Sequence, residues 1–286
     1  MYTTLISAQQ LRGLQDAGAP CMVFDCSFEL MQAGAGDQQY EQSHIPGAVR
    51  ADLERHLSAA KTASDAASGG RHPLPSRESF AAWLGSIGFG NHMQAVAYDR
   101  QGAVYGGRLW WMLKWVGHEN VAVLDGGLPV WLASGGAVES GLSGALGTTR
   151  FALSEPRTAL VTTDTVARNL GRPQQSLIDA RGAPRFKGEV EPLDPVAGHI
   201  PGALNRPFSL NFDASGRFKP ASELKAEFAS LLALRDPATV VHHCGSGVSA
   251  VPNIIAMELA GLGRTALYAG SWSEWCSDPA RPVAQG

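Results

Sequence analysis

Several things are scarce in this sequence, and each scarcity closes off a class of function. Charged residues make up 17% of the 286, with a formal net charge of -3. That balance gives no general attraction for nucleic acid or an anionic membrane, so an anionic substrate would need a local basic pocket. No stretch reaches the ~18 apolar residues of a membrane span. The N-terminus has no basic region followed by an apolar run, so no signal peptide is expected. Cysteine is rare: Cys21, Cys26, Cys244 and Cys276 are all there is. They lack the Cys-x-x-Cys pairs of a metal site, so no metal and no cofactor is expected. The run Gly245-Ser246-Gly247 is no dinucleotide fingerprint, because it lacks the third glycine and follows a cysteine. With no secretion signal, the expected compartment is a reducing cytoplasm in which the thiols stay free. What remains, 44% hydrophobic, is the composition of a soluble globular chain whose length favours two domains of ~100–200 residues each.

What is present is organised as an internal repeat. Each half opens with a helix signal, the capping-box pattern Ser7-Ala8-Gln9-Gln10 in the first and Thr163-Asp164 in the second. A short apolar strand ending on aspartate follows, Cys21-Met22-Val23-Phe24-Asp25 and Ser176-Leu177-Ile178-Asp179. Then each half carries the same pentapeptide, His44-Ile45-Pro46-Gly47-Ala48 and His199-Ile200-Pro201-Gly202-Ala203. Amphipathic helices come next, then the strands Gln94 to Asp99 and Ala238 to Cys244, each running into a Gly-containing loop and another helix. A last strand and turn close each half, with Trp131 and Trp275 just beyond.

Strands alternating with helices predict α/β units, each a mainly parallel sheet flanked by helices. The expected boundaries are a first domain over 1–138, a linker over 139–155 and a second domain over 156–286. The small, polar run Lys61 to Gly70 reads as a mobile surface segment of the first domain.

The two halves differ where chemistry belongs. Ligands of open α/β sheets bind beyond the carboxyl ends of the strands. There the first half has Asp99, and the second has Cys244 followed by Gly245-Ser246-Gly247-Val248-Ser249-Ala250. Glycines let such a loop turn several N–H groups inward, and the following helix adds its positive end. That cradle stabilises a thiolate and equally a persulfide anion, without a histidine base. Cys21, Cys26 and Cys276 open no such loop and read as core or surface residues.

The Cys244-Gly245-Ser246-Gly247-Val248-Ser249-Ala250 segment resembles the active loop of the rhodanese family, in its mercaptopyruvate sulfurtransferase branch, with Ser249 in place of a threonine. The resemblance covers nearly the whole chain. It includes both His-Ile-Pro-Gly copies, Leu124-Asp125-Gly126-Gly127 with Trp131, Trp110-Trp111, and Gly270-Ser271-Trp272 with Trp275. It implies tandem rhodanese-like domains, the first catalytically silent because Asp99 stands at the cysteine position. It also implies ping-pong transfer of sulfane sulfur through a Cys244 persulfide to cyanide, a small thiol or thioredoxin. The loop N–H groups from Gly245 through Gly247 and Val248 to Ser249 would hold the anionic sulfur. Ser246 matches the family's hydroxyl that assists the leaving group.

Donor choice turns on cations. Arg185 matches a substrate-binding arginine of the family, suited to the carboxylate of 3-mercaptopyruvate. Neutral Gly245 and Ser246 lack the basic residues of thiosulfate enzymes. The family's second arginine lies in a Glu-Pro-Arg stretch, and this chain reads Glu191-Pro192-Leu193-Asp194 instead. Arg206 and Arg181 are the candidates to replace it. Asp179 and Arg181 are expected to form an ion pair shaping the pocket wall, and His72 matches a histidine that relatives direct at the active site, with Asp52 or Glu54 as its acid. Of the strand neighbours His242 and His243, at most one can approach the sulfur's side. His44 and His199 are expected to brace turns. The alternatives are a thiosulfate sulfurtransferase of the same fold and a non-catalytic binding or sensory module. A phosphatase of related loop design would need arginine where Ala250 stands.

Overall fold

A computed structural model describes residues 1–32, 34–144 and 147–286. Residues 145 and 146, inside the expected linker, lie outside the described set. Cα proximity divides the chain into two compact units. The first comprises Met1–Ala60, Pro75–Arg157 and Ala214–Phe218, and the second Lys61–Leu74, Thr158–Asp213 and Lys219–Gly286.

The first unit holds strands β1 (Leu5–Ile6), β2 (Cys21–Asp25), β3 (Val49–Arg50), β4 (Gln94–Tyr98) and β5 (Val121–Leu124) in the order β1-β5-β4-β2-β3. Every pairing is parallel. Helices α1 (Ala8–Asp16), α2 (Ala35–Gln42), α3 (Arg77–Ser86), α4 (Val104–Trp115) and α5 (Gly127–Ala133) connect and cover the strands. β4 is buried along its whole length, as a strand covered on both faces must be. Ser7 caps α1 as its pattern predicts: its Oγ accepts from the Gln10 N–H at 3.2 Å, and Gln10 Oε1 accepts from the Ser7 N–H at 2.9 Å.

The second unit repeats this plan with β6 (Ser176–Asp179), β7 (Leu204–Asn205), β8 (Val240–His243) and β9 (Ala266–Leu267), ordered β7-β6-β8-β9 and again all parallel. Its helices are α6 (Thr163–Arg168), α7 (Ala183–Lys187), α8 (Ala221–Leu232), α9 (Val251–Leu259) and α10 (Ser271–Trp275). The cap of α6 is Thr162, one residue ahead of the Thr163 signal, with its hydroxyl accepting from the Thr165 N–H. Val166, Leu177, Ile200, Val241, Tyr268, Trp272 and Trp275 form one apolar cluster against this sheet. The expected α/β class, two parallel sheets flanked by helices, is what the chain forms.

The two pentapeptides fold alike. The Ala48 N–H donates to Ile45 O at 2.9 Å, and the Ala203 N–H to Ile200 O at 3.1 Å. His44 stacks on Tyr40 at 4.0 Å and shares a hydrogen bond with its carbonyl, while His199 does the same with Phe186 at 3.8 Å. Both histidines are structural braces, consistent with the turn role expected of them.

Lys61–Leu74 is the departure. Within it, Lys61 to Gly70 reads in sequence as a mobile surface segment of the first domain, yet the whole segment belongs to the second compact unit. The Gly69 N–H donates to Glu274 Oε2 (3.1 Å) and the Arg71 N–H to Ser273 Oγ (2.9 Å). Gly70, at φ 86°, lies so close that a Cβ there would stand 2.6 Å from the Gly270 carbonyl oxygen. Only glycine permits both the conformation and the approach.

Candidate active site

Cys244 is the first residue beyond β8, at the carboxyl end of a central strand. It is 1% exposed. Its backbone is held from below: the Cys244 N–H donates to Ser271 Oγ (3.1 Å) and its carbonyl accepts from the Trp272 N–H (3.0 Å). Ser271 adopts φ 56°, a left-handed conformation that is uncommon outside glycine. The equivalent residue of the first unit is Gly127, at φ 57°. The second unit therefore accepts backbone strain to put a hydroxyl under the cysteine.

From Cys244 the chain curls over Gly245 to Ala250 before α9 begins. Gly247, at φ 74°, packs so tightly that a Cβ would meet Ala269 O at 2.2 Å. Among the described residues, the N–H groups of Gly245, Ser246, Val248 and Ser249 find no acceptor within the chain. These are the donors a bound anion would use.

The first unit shows what this loop design does. Asp99, one residue beyond β4, turns its carboxylate into its own loop. Oδ1 accepts from the N–H groups of Gln101 (2.8 Å) and Ala103 (3.1 Å), and Oδ2 from those of Tyr105 (2.8 Å) and Gly106 (2.9 Å). Burial pushes the Asp99 carboxyl up, and the four donors oppose that shift. The loop after β4 thus carries its anion as a side chain, where the loop after β8 carries a thiol.

Around Cys244 the chain assembles a string of alternating charges. Arg181 grips Asp179 with Nε and Nη2 (2.7 to 3.1 Å), donates to Gly198 O (2.7 Å), and reaches Glu191 through Nη1 (3.3 Å). Its guanidinium also lies 4.8 Å over the Trp272 ring. Burial opposes the charge on Arg181, and Asp179, Glu191 and the Cys244 thiolate outweigh it. Asp179 is likewise buried, which works against its charge, but His243 and Arg181 hold it below the usual carboxylate range. Arg185, on α7, binds Glu191 (2.6 Å) and Asp194 (3.3 Å) through Nη2. Arg71 binds the other oxygen of Asp194 through Nη1 at 2.6 Å. Beside this string, His72 Nδ1 and Ser246 Oγ share a hydrogen bond of 2.8 Å.

Several expected site residues therefore meet here: Cys244, Gly245, Ser246, Gly247, Val248, Ser249, Arg185, Arg181, Asp179 and His72 all belong to one unit. Arg206 does not serve as a substitute cation. It spends Nε and Nη2 on Asn211 and Nη2 on Glu227 (2.7 Å), and stacks 4.2 Å over Phe228. Arg181 is spent on Asp179, Glu191 and Gly198. Neither strand histidine is an obvious base. His242 is buried against Met257 Sδ at 3.3 Å and its pKa falls to about 3, chiefly through burial. His243 is also pushed down by burial and lies 3.9 Å from Asp179. Arg71, Asp194 and Ser271 escape sequence reasoning. The one available signal was that Arg71 adjoins His72 after a Gly-Gly pair.

The model of the rhodanese-like domain matches residues 7–134 and again 162–278. A probable 3-mercaptopyruvate sulfurtransferase of Pseudomonas aeruginosa is 44% identical over 283 residues, 99% of this chain and 98% of that protein. A putative thiosulfate sulfurtransferase of Mycobacterium tuberculosis is 40% identical over 284 residues, 99% of this chain and 97% of that one. The solved 3-mercaptopyruvate sulfurtransferase from Leishmania major superposes with a TM-score of 0.80 at 30% identity, covering 96% of this chain and 74% of its own. No helix among the described residues is long and apolar enough to cross a membrane. With two matched domains, parallel sheets and a cysteine-headed loop, the chain belongs to the rhodanese family, among its two-domain sulfurtransferases.

Proposed function

We propose that this enzyme moves sulfane sulfur from 3-mercaptopyruvate to a thiophilic acceptor through a persulfide on Cys244. The observation that carries the reading is the Cys244 loop, in which the N–H groups of Gly245, Ser246, Val248 and Ser249 are unspent among the described residues, and which lies beside Arg185 and the His72–Ser246 pair. The Cys244 thiolate attacks the donor's sulfur. An S–S bond forms as the C–S bond breaks, and the electron pair leaves on carbon as the enolate of pyruvate. Ser246, hydrogen-bonded to His72, delivers a proton to that enolate, and His72 returns one to Ser246. Arg185 holds the donor's carboxylate. Cyanide, a small thiol or thioredoxin then attacks the outer sulfur, and the S–S electron pair returns to Cys244. The loop donors face the anionic sulfur in both half-reactions, so they act where charge develops. The first domain, with its loop filled by Asp99, is catalytically silent, and a reducing cytoplasm keeps the four thiols free.

Thiosulfate is the second donor to consider, because a relative of 40% identity carries that activity in its name and a dianion suits the same cations. The test is sulfur transfer to cyanide with each donor, for wild type and Cys244→Ala. A larger kcat/KM for mercaptopyruvate, a dead variant, and a gain of about 32 mass units on Cys244 after donor alone are expected. A larger kcat/KM for thiosulfate would overturn the donor assignment, and an unmodified Cys244 during turnover would overturn the persulfide.

A further inference from the structure

The resemblance drawn from the sequence implies a second arginine in the stretch that here reads Glu191-Pro192-Leu193-Asp194, so Arg185 is left as the one arginine it assigns to the donor's carboxylate. The geometry points to Arg71 as the replacement, and to Gly245 as the residue that lets it in. This inference rests on the donor reading above and deepens it.

Three observations meet at one point. A Cβ built on Gly245 would lie 3.0 Å from Arg71 Nη2 and 3.5 Å from Arg185 Nη1 and Nη2. Two guanidinium groups, from segments far apart in sequence, thus border the position a side chain at 245 would take, Arg71 tightly and Arg185 at ordinary contact distance. They do so over the residue next to the nucleophile, one Cα–Cα step of about 3.8 Å along the chain. Asp194 joins them, taking Arg71 on one oxygen at 2.6 Å and Arg185 on the other at 3.3 Å. Its burial raises its pKa, and the two arginines counter that rise.

Neither guanidinium is fully used. Arg71 Nε is buried and has no hydrogen-bond partner. Arg185 gives Nε and Nη2 to Glu191 and Asp194, and among the described residues Nη1 makes no bond to the chain. A carboxylate seated here takes the unspent donors of both arginines, in the paired geometry guanidinium groups favour. The three arginines of the string are balanced by Asp179, Glu191 and Asp194. Net charge alone therefore does not attract the donor, and directed N–H groups must select it.

Arg71 is also placed deliberately. Its own N–H is tied to Ser273 Oγ, and Gly69 and Gly70 pack on the Gly270–Glu274 turn. The same turn carries Ser271, which holds Cys244. One short turn thus positions both the nucleophile and the cation.

The test uses the full chain with mercaptopyruvate as donor and 2-mercaptoethanol as acceptor, and pyruvate as a competitive inhibitor. For Arg71→Gln, the KM for mercaptopyruvate and the Ki for pyruvate should both rise by about 10- to 100-fold, the range for a lost hydrogen bond to a charged group. kcat and the KM for the uncharged acceptor should stay within about 2-fold. Arg71→Lys should recover part of the loss. Gly245→Ala, which changes no charge, should raise the same two constants by a smaller factor, because its Cβ presses on Arg71 Nη2. An Arg71→Gln enzyme with unchanged KM and Ki, or one whose kcat falls while KM holds, would overturn the role of Arg71 and leave the donor reading standing. A wild-type enzyme that does not turn over mercaptopyruvate would instead overturn the donor reading, and this inference with it.

Discussion

Asp99 offers a direct measure of what the rhodanese loop does for an anion, because there the anion is covalently attached. Its carboxylate accepts four backbone N–H groups at 2.8 to 3.1 Å in a fully buried site. Asp99→Ala would orphan all four donors. An unsatisfied buried donor costs ~1–3 kcal/mol, but the substitution also removes the penalty for burying a carboxylate, which is several kcal/mol. Four orphaned donors at that cost, less the relieved carboxylate penalty, leave a net loss of about 3–5 kcal/mol. Asp99→Asn should cost nearly as much. The amide keeps one acceptor oxygen but turns an NH2 toward two of the N–H donors, so two attractive contacts become repulsive. At ~2–4 °C per kcal/mol for a chain of this size, both variants should melt about 10 °C lower in the transition of the first unit, read by calorimetry. Sulfate should raise the melting temperature of Asp99→Ala more than that of wild type, because the emptied cradle presents the same donors to a free anion. If Asp99→Asn melts within about 2 °C of wild type, the four bonds are not holding a charge and the cradle argument fails.

Three further outcomes follow from the second unit. His242, with its pKa lowered to about 3 by burial from the ordinary 6.5, is neutral in the fold and takes up a proton on unfolding. Its contribution is therefore intact above pH 6.5 and is lost as pH falls; between pH 7.5 and 5.5 that loss is about 1.4 kcal/mol, and urea titrations of His242→Gln should show a pH slope smaller by about one proton. Asp179 and Arg181 form a pair with side chains 0% and 1% exposed. Asp179→Asn should cost about 3–5 kcal/mol by stranding the guanidinium, whereas the double variant with Arg181→Met should be less unstable than the sum of the singles; strict additivity in denaturant melts would refute the coupling. On the proposed mechanism, in which the hydrogen-bonded Ser246 and His72 act as one proton path, Ser246→Ala and His72→Asn should each slow persulfide formation about 100-fold or more, and the double variant no further. Additive losses in single-turnover kinetics would separate their roles.

How much of this could be read from sequence depends on whether the physical signal was local. The alternation of apolar strands and helices, the duplicated pentapeptides and the cysteine ahead of a Gly-rich loop are each short-range patterns, and each corresponds to structure: parallel sheets, stacked histidines, and Cys244 just past β8. The Asp179–Arg181 pair was legible for the same reason, since its partners are two residues apart. What sequence could not provide was contact between distant segments. Lys61 to Gly70 is small and polar, and composition alone reads such a run as loop. Nothing within it announces that Gly69 and Gly70 dock on the Gly270–Glu274 turn. That docking carries His72 to Ser246 and Arg71 to Asp194. The absence of an arginine at Leu193 can be read from the sequence, whereas the approach of Arg71 to Asp194 and Gly245, more than a hundred positions away, is visible only in space. Gly245 joins the two kinds of information. In sequence it is a loop glycine, and in the fold a Cβ there would lie 3.0 Å from Arg71 Nη2 and 3.5 Å from Arg185. A position judged only by the side chain it lacks can thus border groups brought from elsewhere in the chain. For that reason a neutral residue after the cysteine does not by itself mean an uncharged pocket.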